Sequence, residues 1–310
     1  LGAPGDGYYF YTQNLASHGY VAIGIDHLDS KPTTTLGFWK RNNPVETTVR
    51  ALGDLSAMNP SDSVFAIMGD WFKKTQFGMT YRPAEITRGL DVTLARNHAS
   101  GDRLQGMIDP ERIGMSGHSL GAAYTLLYGG QAMNCDYPMT AADRNLNGYI
   151  TDIDPCAMPS RSRSTDPHLF RDKRIKAILP LASPIFINDR QIVRAAHDID
   201  VPLMFLTGED PYLESSRKQQ WQTFEGASGP KYFVEITNTN HFMVTDMLTA
   251  NPTAAAAMNL VGYTAFAPMA NVYMRYSSAF FDRYLKDDVA KGPVLHRAGP
   301  GPVSALHYDD

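Results

Sequence analysis

The chain has 310 residues, 43% of them hydrophobic and 19% charged, with a formal net charge of −4. That balance can bury a large core and excludes a disordered or low-complexity chain. With no Lys/Arg block it also lacks the basic footprint of a nucleic-acid binder, so a small neutral or anionic-tolerant substrate fits better.

One domain spanning 1–310 is expected, because α/β sheets grow by adding units to a shared core. The apolar stretch at 254–270 is broken by Asn259, Gly262 and Pro268 and falls short of a bilayer span, so no transmembrane segment is expected. Leu1 is not a start methionine and no signal peptide is visible, which reads as a processed or truncated product. A bond between the two cysteines, Cys135 and Cys156, would close a loop worth roughly 3 kcal/mol and imply an oxidising compartment. A secreted or periplasmic location is then expected, two buried free thiols being the other reading.

Taken in chain order, residues 8–17 have helical spacing, and the β-branched run YVAIGID at 20–26 reads as a buried parallel strand. Residues 82–98 place Ile86, Leu90 and Leu94 on one helical face, with Pro83 suited to a first turn. A strand at 112–115 and a helix at 120–133 follow, then a strand at 175–181 and a helix at 189–197. The runs PLMFLT at 202–207 and KYFVEI at 231–236 supply further strands, with helices at 215–224 and 272–285. This alternation predicts an α/β fold, a mostly parallel central sheet with helices on both faces. Two stretches break the rhythm, about 31–81 and 134–172, and read as insertions; the first, with Trp39 and Trp71, could wall a pocket.

A serine hydroxyl is a weak nucleophile at neutral pH, so it needs a base, an acid to orient that base, and donors for an oxyanion. Gly117-His118-Ser119-Leu120-Gly121 lies between an expected strand and an expected helix, the setting of a nucleophile elbow. Both glycines are read as relieving crowding in the turn. After the strand at 202–207 come Glu209 and Asp210; Asp210 is the expected acid, with Glu209 one register error away. His241 follows the strand at 231–236 and is the expected base, which makes the chain order Ser119, Asp210, His241. Of the competing histidines, His118 sits inside the elbow, whereas His18 and His27 flank an early run. The oxyanion hole is expected from the amides of Leu120 and of Asp6, the latter in the glycine-bearing turn at 3–7; a plain helix cap is the other reading of Asp6.

The run LASHGYVAIGID at 15–26, the elbow and Asn240-His241-Phe242 together resemble α/β-hydrolase serine esterases. The nearest branch is similar to platelet-activating-factor acetylhydrolases, dienelactone-hydrolase-like proteins and cutinase-like polyester hydrolases. The resemblance implies the α/β-hydrolase fold, with Pro4-Gly5-Asp6 matching the family's oxyanion turn. It covers most of 1–285 but fails at 31–81 and 134–172, so it does not imply a particular substrate.

Inside the second of these stretches, Asp143, Asn145 and Asn147 occupy the first, third and fifth positions of a calcium-type loop, with Gly148 sixth. Tyr149 would offer its carbonyl, and Asp154 stands where a bidentate Glu is commoner. A structural calcium is therefore expected, an Asp/Asn-rich surface turn being the alternative. Cys135 and Cys156 bracket this loop. No organic cofactor is needed for the chemistry.

The expected activity is hydrolysis of short to medium acyl or aryl esters through an acyl-enzyme, with polyesters left open as substrates. One rival is a phospholipase A2-type acetylhydrolase. The other is an inactive, calcium-stabilised binding module. Oligomeric state is not readable.

Overall fold

The computed structural model describes residues 5–27, 76–133, 166–183, 192–209, 214–239, 241, 244–246 and 265–310. Five strands, β1 Ile113–His118, β2 Ile175–Leu181, β3 Leu203–Gly208, β4 Lys231–Ile236 and β5 Val303–Asp309, form one sheet in that spatial order. The first four are parallel and β5 runs antiparallel to β4. Parallel neighbours need crossovers, and α3 Leu120–Gly129, α4 Ile192–Ala196 and α5 Glu214–Gly226 lie between successive parallel strands, while α1 Tyr9–Ser17 and α2 Gln76–His98 precede β1 and α6 Phe266–Leu285 lies between β4 and β5.

The central strands carry apolar residues at successive positions because both faces are covered. Along β3, Met204 and Leu206 join Tyr11 of α1 and Tyr273, Tyr276 and Phe280 of α6 on one face. Leu203 and Phe205 turn to the other face and meet Leu126 of α3, Ala195 and Ala196 of α4, and Phe224 of α5. Phe205 and Phe233 are fully buried, each such side chain contributing about 1.5–3 kcal/mol. A third cluster joins α2 to α3 through Ile86, Tyr124, Leu127 and Tyr128, and the Tyr128 hydroxyl donates to the Pro83 carbonyl at 2.6 Å. The α/β arrangement with helices on both sheet faces is thus the one expected, and it is consistent with an α/β-hydrolase fold.

Several local expectations differ: α3 ends at Gly129 and not at 133, and α6 begins at Phe266 and not at 272. Residues 20–26 form no strand, because none of the described strands lies alongside them to complete a ladder; Ile23 is 49% exposed, while Ile25 packs against α2. Helix α2 starts at Gln76 and runs through Pro83 instead of opening there. Strand β1 continues to His118, since Gly117 and His118 find partners in Pro180 and Leu181 of β2. Strand β5 has no counterpart in the expected elements. No helix among the described residues is long and apolar enough to cross a membrane.

Helix α1 matters most for the site. The Tyr11 hydroxyl donates to Ser116 Oγ of β1 at 3.0 Å, and Ser116 Oγ donates onward to the Leu179 carbonyl of β2 at 2.8 Å. Asn14 Nδ2 donates to the Met274 carbonyl of α6. At its far end, Asp282 of α6, itself buried, accepts from Tyr20 and pairs with His18, Lys286 and Lys291. These contacts fix α1 against β1 and α6, and the 3-10 turn Gly5–Tyr8 that precedes α1 is thereby set beside the end of β1.

Candidate active site

Ser119 stands between the last residue of β1 and the first of α3 with φ 57° and ψ −122°. A non-glycine residue in that region is strained, and strain of this kind collects at functional turns. The turn is closed from both sides. The Ser119 amide donates to the Leu181 carbonyl of β2 at 3.1 Å, and the Ser119 carbonyl accepts from Ala122 and Ala123 at 2.9 and 3.2 Å. The amides of Leu120 and Gly121 lie ahead of that ladder at the α3 N-terminus, where the helix dipole favours negative charge.

The two glycines of the pentapeptide are not equivalent. A Cβ on Gly117 would run into the carbonyl of Gly121 and lie 2.8 Å from Thr125 Oγ1, whereas among the described residues a Cβ on Gly121 would meet nothing within 4 Å. Crowding therefore explains Gly117 and not Gly121, which corrects the expectation that both positions are sterically closed.

Strained backbone recurs at the carboxyl ends of neighbouring strands. Ala182, after β2, has φ 44°, and Asn238, after β4, has φ 48°. This rim is where loops beyond parallel strands converge on ligands. At Gly208, the end of β3, a Cβ would overlap the Thr239 backbone, and the Glu209 amide donates to the Ile236 carbonyl at 3.0 Å. The loops after β3 and β4 are thereby drawn together. Glu209 sits at this junction, half-buried; Asp210 follows it directly and lies outside the described residues.

His241 reaches the elbow through His118. The His118 Nε2–H donates to the His241 carbonyl at 2.7 Å, and the two rings stand 4.6 Å apart between centroids. The Tyr8 hydroxyl is 2.8 Å from His118 Nδ1. A carbonyl only accepts, so Nε2 carries the proton; burial keeps the His118 ring neutral, well below the ordinary histidine range, so Nδ1 accepts from Tyr8. Burial also brings the His241 imidazole down to about 3, leaving it unprotonated at neutral pH. The Tyr8 phenol is pushed up, again by burial, with the charge of the buried Arg82 opposing that rise.

The turn at Gly5–Tyr8 is tied to the far side of the His241 loop as well. The Asp246 amide donates to the Gly7 carbonyl at 2.8 Å, and Asp246 Oδ2 accepts from the Phe10 amide at 3.2 Å. Asp6 lies in that turn. The structure thus brings together Ser119, Leu120, His118, His241 and the turn bearing Asp6. His18 and His27 belong elsewhere: His18 pairs with Asp282 and His27 with Glu85 of α2. Of the aromatics at the start of α1, Phe10 packs edge-on against Phe266, 5.3 Å between centroids, the Tyr8 hydroxyl bonds His118, and Tyr9 is 58% exposed. Trp39 and Trp71 lie outside the described residues.

No family model matches the chain, and no curated protein matches it. Among solved structures, a ferulic acid esterase from Streptomyces cinnamoneus superposes with a TM-score of 0.45 and 18% identity, covering 75% of this chain. The chain spans 56% of the length of that structure.

The sequence reasoning missed Tyr8, His118 and Asp246 as parts of the site. No local pattern could have found them, since Tyr8 and His118 are 110 residues apart and His118 and His241 123. Asp143, Asn145, Asn147, Tyr149, Asp154, Cys135 and Cys156 all lie outside the described residues. Among the described residues, no cluster of three or more His, Cys, Asp or Glu side chains could hold a metal ion.

Proposed function

We propose that this chain is a serine carboxylic-ester hydrolase that works through an acyl-enzyme. The observation that carries the reading is Ser119 itself, held at φ 57° between a parallel strand and a helix N-terminus, with the His241 backbone bonded to the neighbouring side chain. Ser119 Oγ attacks the ester carbonyl while His241 takes its proton, and His241 then returns that proton to the departing alkoxide. Water, activated by the same imidazole, releases the acid. The amides of Leu120 and Asp6 hold the oxyanion, and Asp210 orients His241. Burial leaves His241 unprotonated when the substrate arrives but also weakly basic, so in this reading the Asp210 carboxylate must stabilise the imidazolium as it forms.

The substrates proposed are short to medium acyl or aryl esters, polyesters included. A calcium ion at Asp143, Asn145, Asn147, the Tyr149 carbonyl and Asp154, with a Cys135–Cys156 bond, would have a structural role only. The deciding experiment measures hydrolysis of p-nitrophenyl acetate and butyrate alongside labelling by a fluorophosphonate probe. The expected result is one label per chain, lost in Ser119→Ala, and a fall in kcat on the order of 10⁴-fold or more in His241→Ala. Asp210→Asn should cost far more than Glu209→Gln. Label on another residue, or full activity in Ser119→Ala, would end the proposal.

A further inference from the structure

His118 takes no part in the acyl transfer proposed above, yet both of its ring nitrogens are committed. Its Nε2–H is directed to the His241 carbonyl at 2.7 Å and its Nδ1 accepts from the Tyr8 hydroxyl at 2.8 Å. The ring itself is buried, and its backbone is fixed as the last residue of β1, in register with Leu181. With one nitrogen protonated toward a carbonyl and the other occupied by a phenol, this imidazole has no lone pair to offer Ser119. It is not a second base.

Three segments far apart in sequence meet on this ring: the elbow, the turn that carries Asp6, and the loop that carries His241. A separate contact closes the circuit. Asp246, five residues past His241, donates its amide to Gly7 and accepts from the Phe10 amide through its carboxylate. The turn and the loop are thus joined to each other through Asp246, and both are joined to the elbow through His118.

We propose that His118 is a positioning residue, an imidazole bridge that holds the His241 loop and the Asp6 turn in register with Ser119; the proposal rests on the esterase reading above. Base and oxyanion donors act only when placed to within a fraction of an ångström, and a displacement of about 1 Å can cost on the order of a hundredfold in rate. Neither the loop nor the turn belongs to the sheet, so the precision of β1 must reach them through a side chain. Few residues can do this. Leucine would fill the volume without either bond, whereas glutamine can accept through Oε1 and donate through Nε2.

The test compares His118→Leu, His118→Gln and Tyr8→Phe with the wild type. It reads kcat and KM on p-nitrophenyl butyrate, melting temperature, and amide hydrogen exchange at residues 5–8 and 241–246. His118→Leu should lower kcat roughly a hundredfold with KM within about threefold, and should speed exchange in both segments. His118→Gln should recover most of the rate. Tyr8→Phe, which deletes a single donor, should lower kcat roughly fivefold and should cost little more when combined with His118→Leu. A kcat within threefold of wild type in His118→Leu would overturn the proposal, as would His118→Gln matching the leucine variant or unchanged exchange in both segments. Should the leucine variant fail to fold, the glutamine and phenylalanine variants still decide the question. A wild type that neither turns over esters nor takes the fluorophosphonate defeats the esterase reading instead, and the exchange data then judge the bridge on their own.

Discussion

Replacing Gly117 with alanine would drive a methyl group into the Gly121 carbonyl and to 2.8 Å from Thr125 Oγ1. Neither neighbour can easily retreat. The carbonyl belongs to the first turn of α3, and Thr125 Oγ1 is fixed by its own donation to that carbonyl at 2.9 Å. Overpacking against such surroundings costs about 1–3 kcal/mol, and with backbone as the obstacle the upper end applies. At roughly 2–4 °C per kcal/mol for a large domain, the melting temperature should fall on the order of 6–12 °C. Gly121→Ala should act in the opposite direction. Its methyl meets nothing within 4 Å among the described residues, and replacing a helical glycine by alanine removes conformational freedom from the unfolded chain, a gain of about 0.5–1 kcal/mol. Urea denaturation and thermal melts of the two variants, run side by side with fluorophosphonate labelling, supply the measurement. Equal destabilisation by the two changes, or a neutral Gly117→Ala, would show that the close approach of β1 to α3 does not shape the turn as described.

Other predictions follow from the same geometry. His118 and His241 are both held neutral by burial, below their unfolded value near 6.5. The unfolded chain therefore binds more protons, so their contribution to stability is complete above pH 6.5 and declines as pH falls, by up to about 1.4 kcal/mol per pH unit for each ring. Urea midpoints between pH 7.5 and 5 should fall, and His118→Gln should flatten the slope; a midpoint independent of pH over that window contradicts the assignment. Asp282→Ala strips the buried partner from Tyr20, His18, Lys286 and Lys291. It should cost about 1.5–3 kcal/mol in denaturant, the worth of hydrogen bonds to a charged group, and a loss under 1 kcal/mol would mean that water replaces the carboxylate. Calcium in the millimolar range should raise the melting temperature and EDTA should lower it, with Asp143→Ala and Asp154→Ala abolishing the response while fluorophosphonate labelling persists. Loss of labelling on calcium removal would make the ion more than structural.

Much of the frame was legible because buried parallel strands are written as continuous apolar runs. IKAILPL and KYFVEI coincide with β2 and β4, and PLMFLT misses β3 by one residue at each end. The same rule misled at 20–26, where an apolar run reports its own burial tendency and not the presence of a neighbour to bond with. Strand β1 read too short because Ser116, Gly117 and His118 look like a turn until β2 pairs with them. Strand β5 was hidden because its half-exposed, loosely alternating VSALHYD presents no apolar run. At the candidate site, the positions of Ser119 and His241 just after strands were readable from the sequence. The bridge through His118 was not, since it exists only once folding brings residues 8, 118 and 241 together. Asp210, the cysteines and the 143–154 loop fall outside the described residues.

The left-handed residues Ser119, Ala182 and Asn238 cap three of the four parallel strands, and each such conformation in a non-glycine residue costs about 1–3 kcal/mol. Against a total stability of about 5–15 kcal/mol, the rim is a permanent load that the buried strands beneath it must carry. A cavity opened deep in the sheet, at Phe205 for example, therefore weakens the clamp on this load before it unfolds the chain. Damage far from Ser119 would first be felt as relaxation of these three corners, so the proposed esterase activity would be lost earlier along a denaturation curve than the sheet itself.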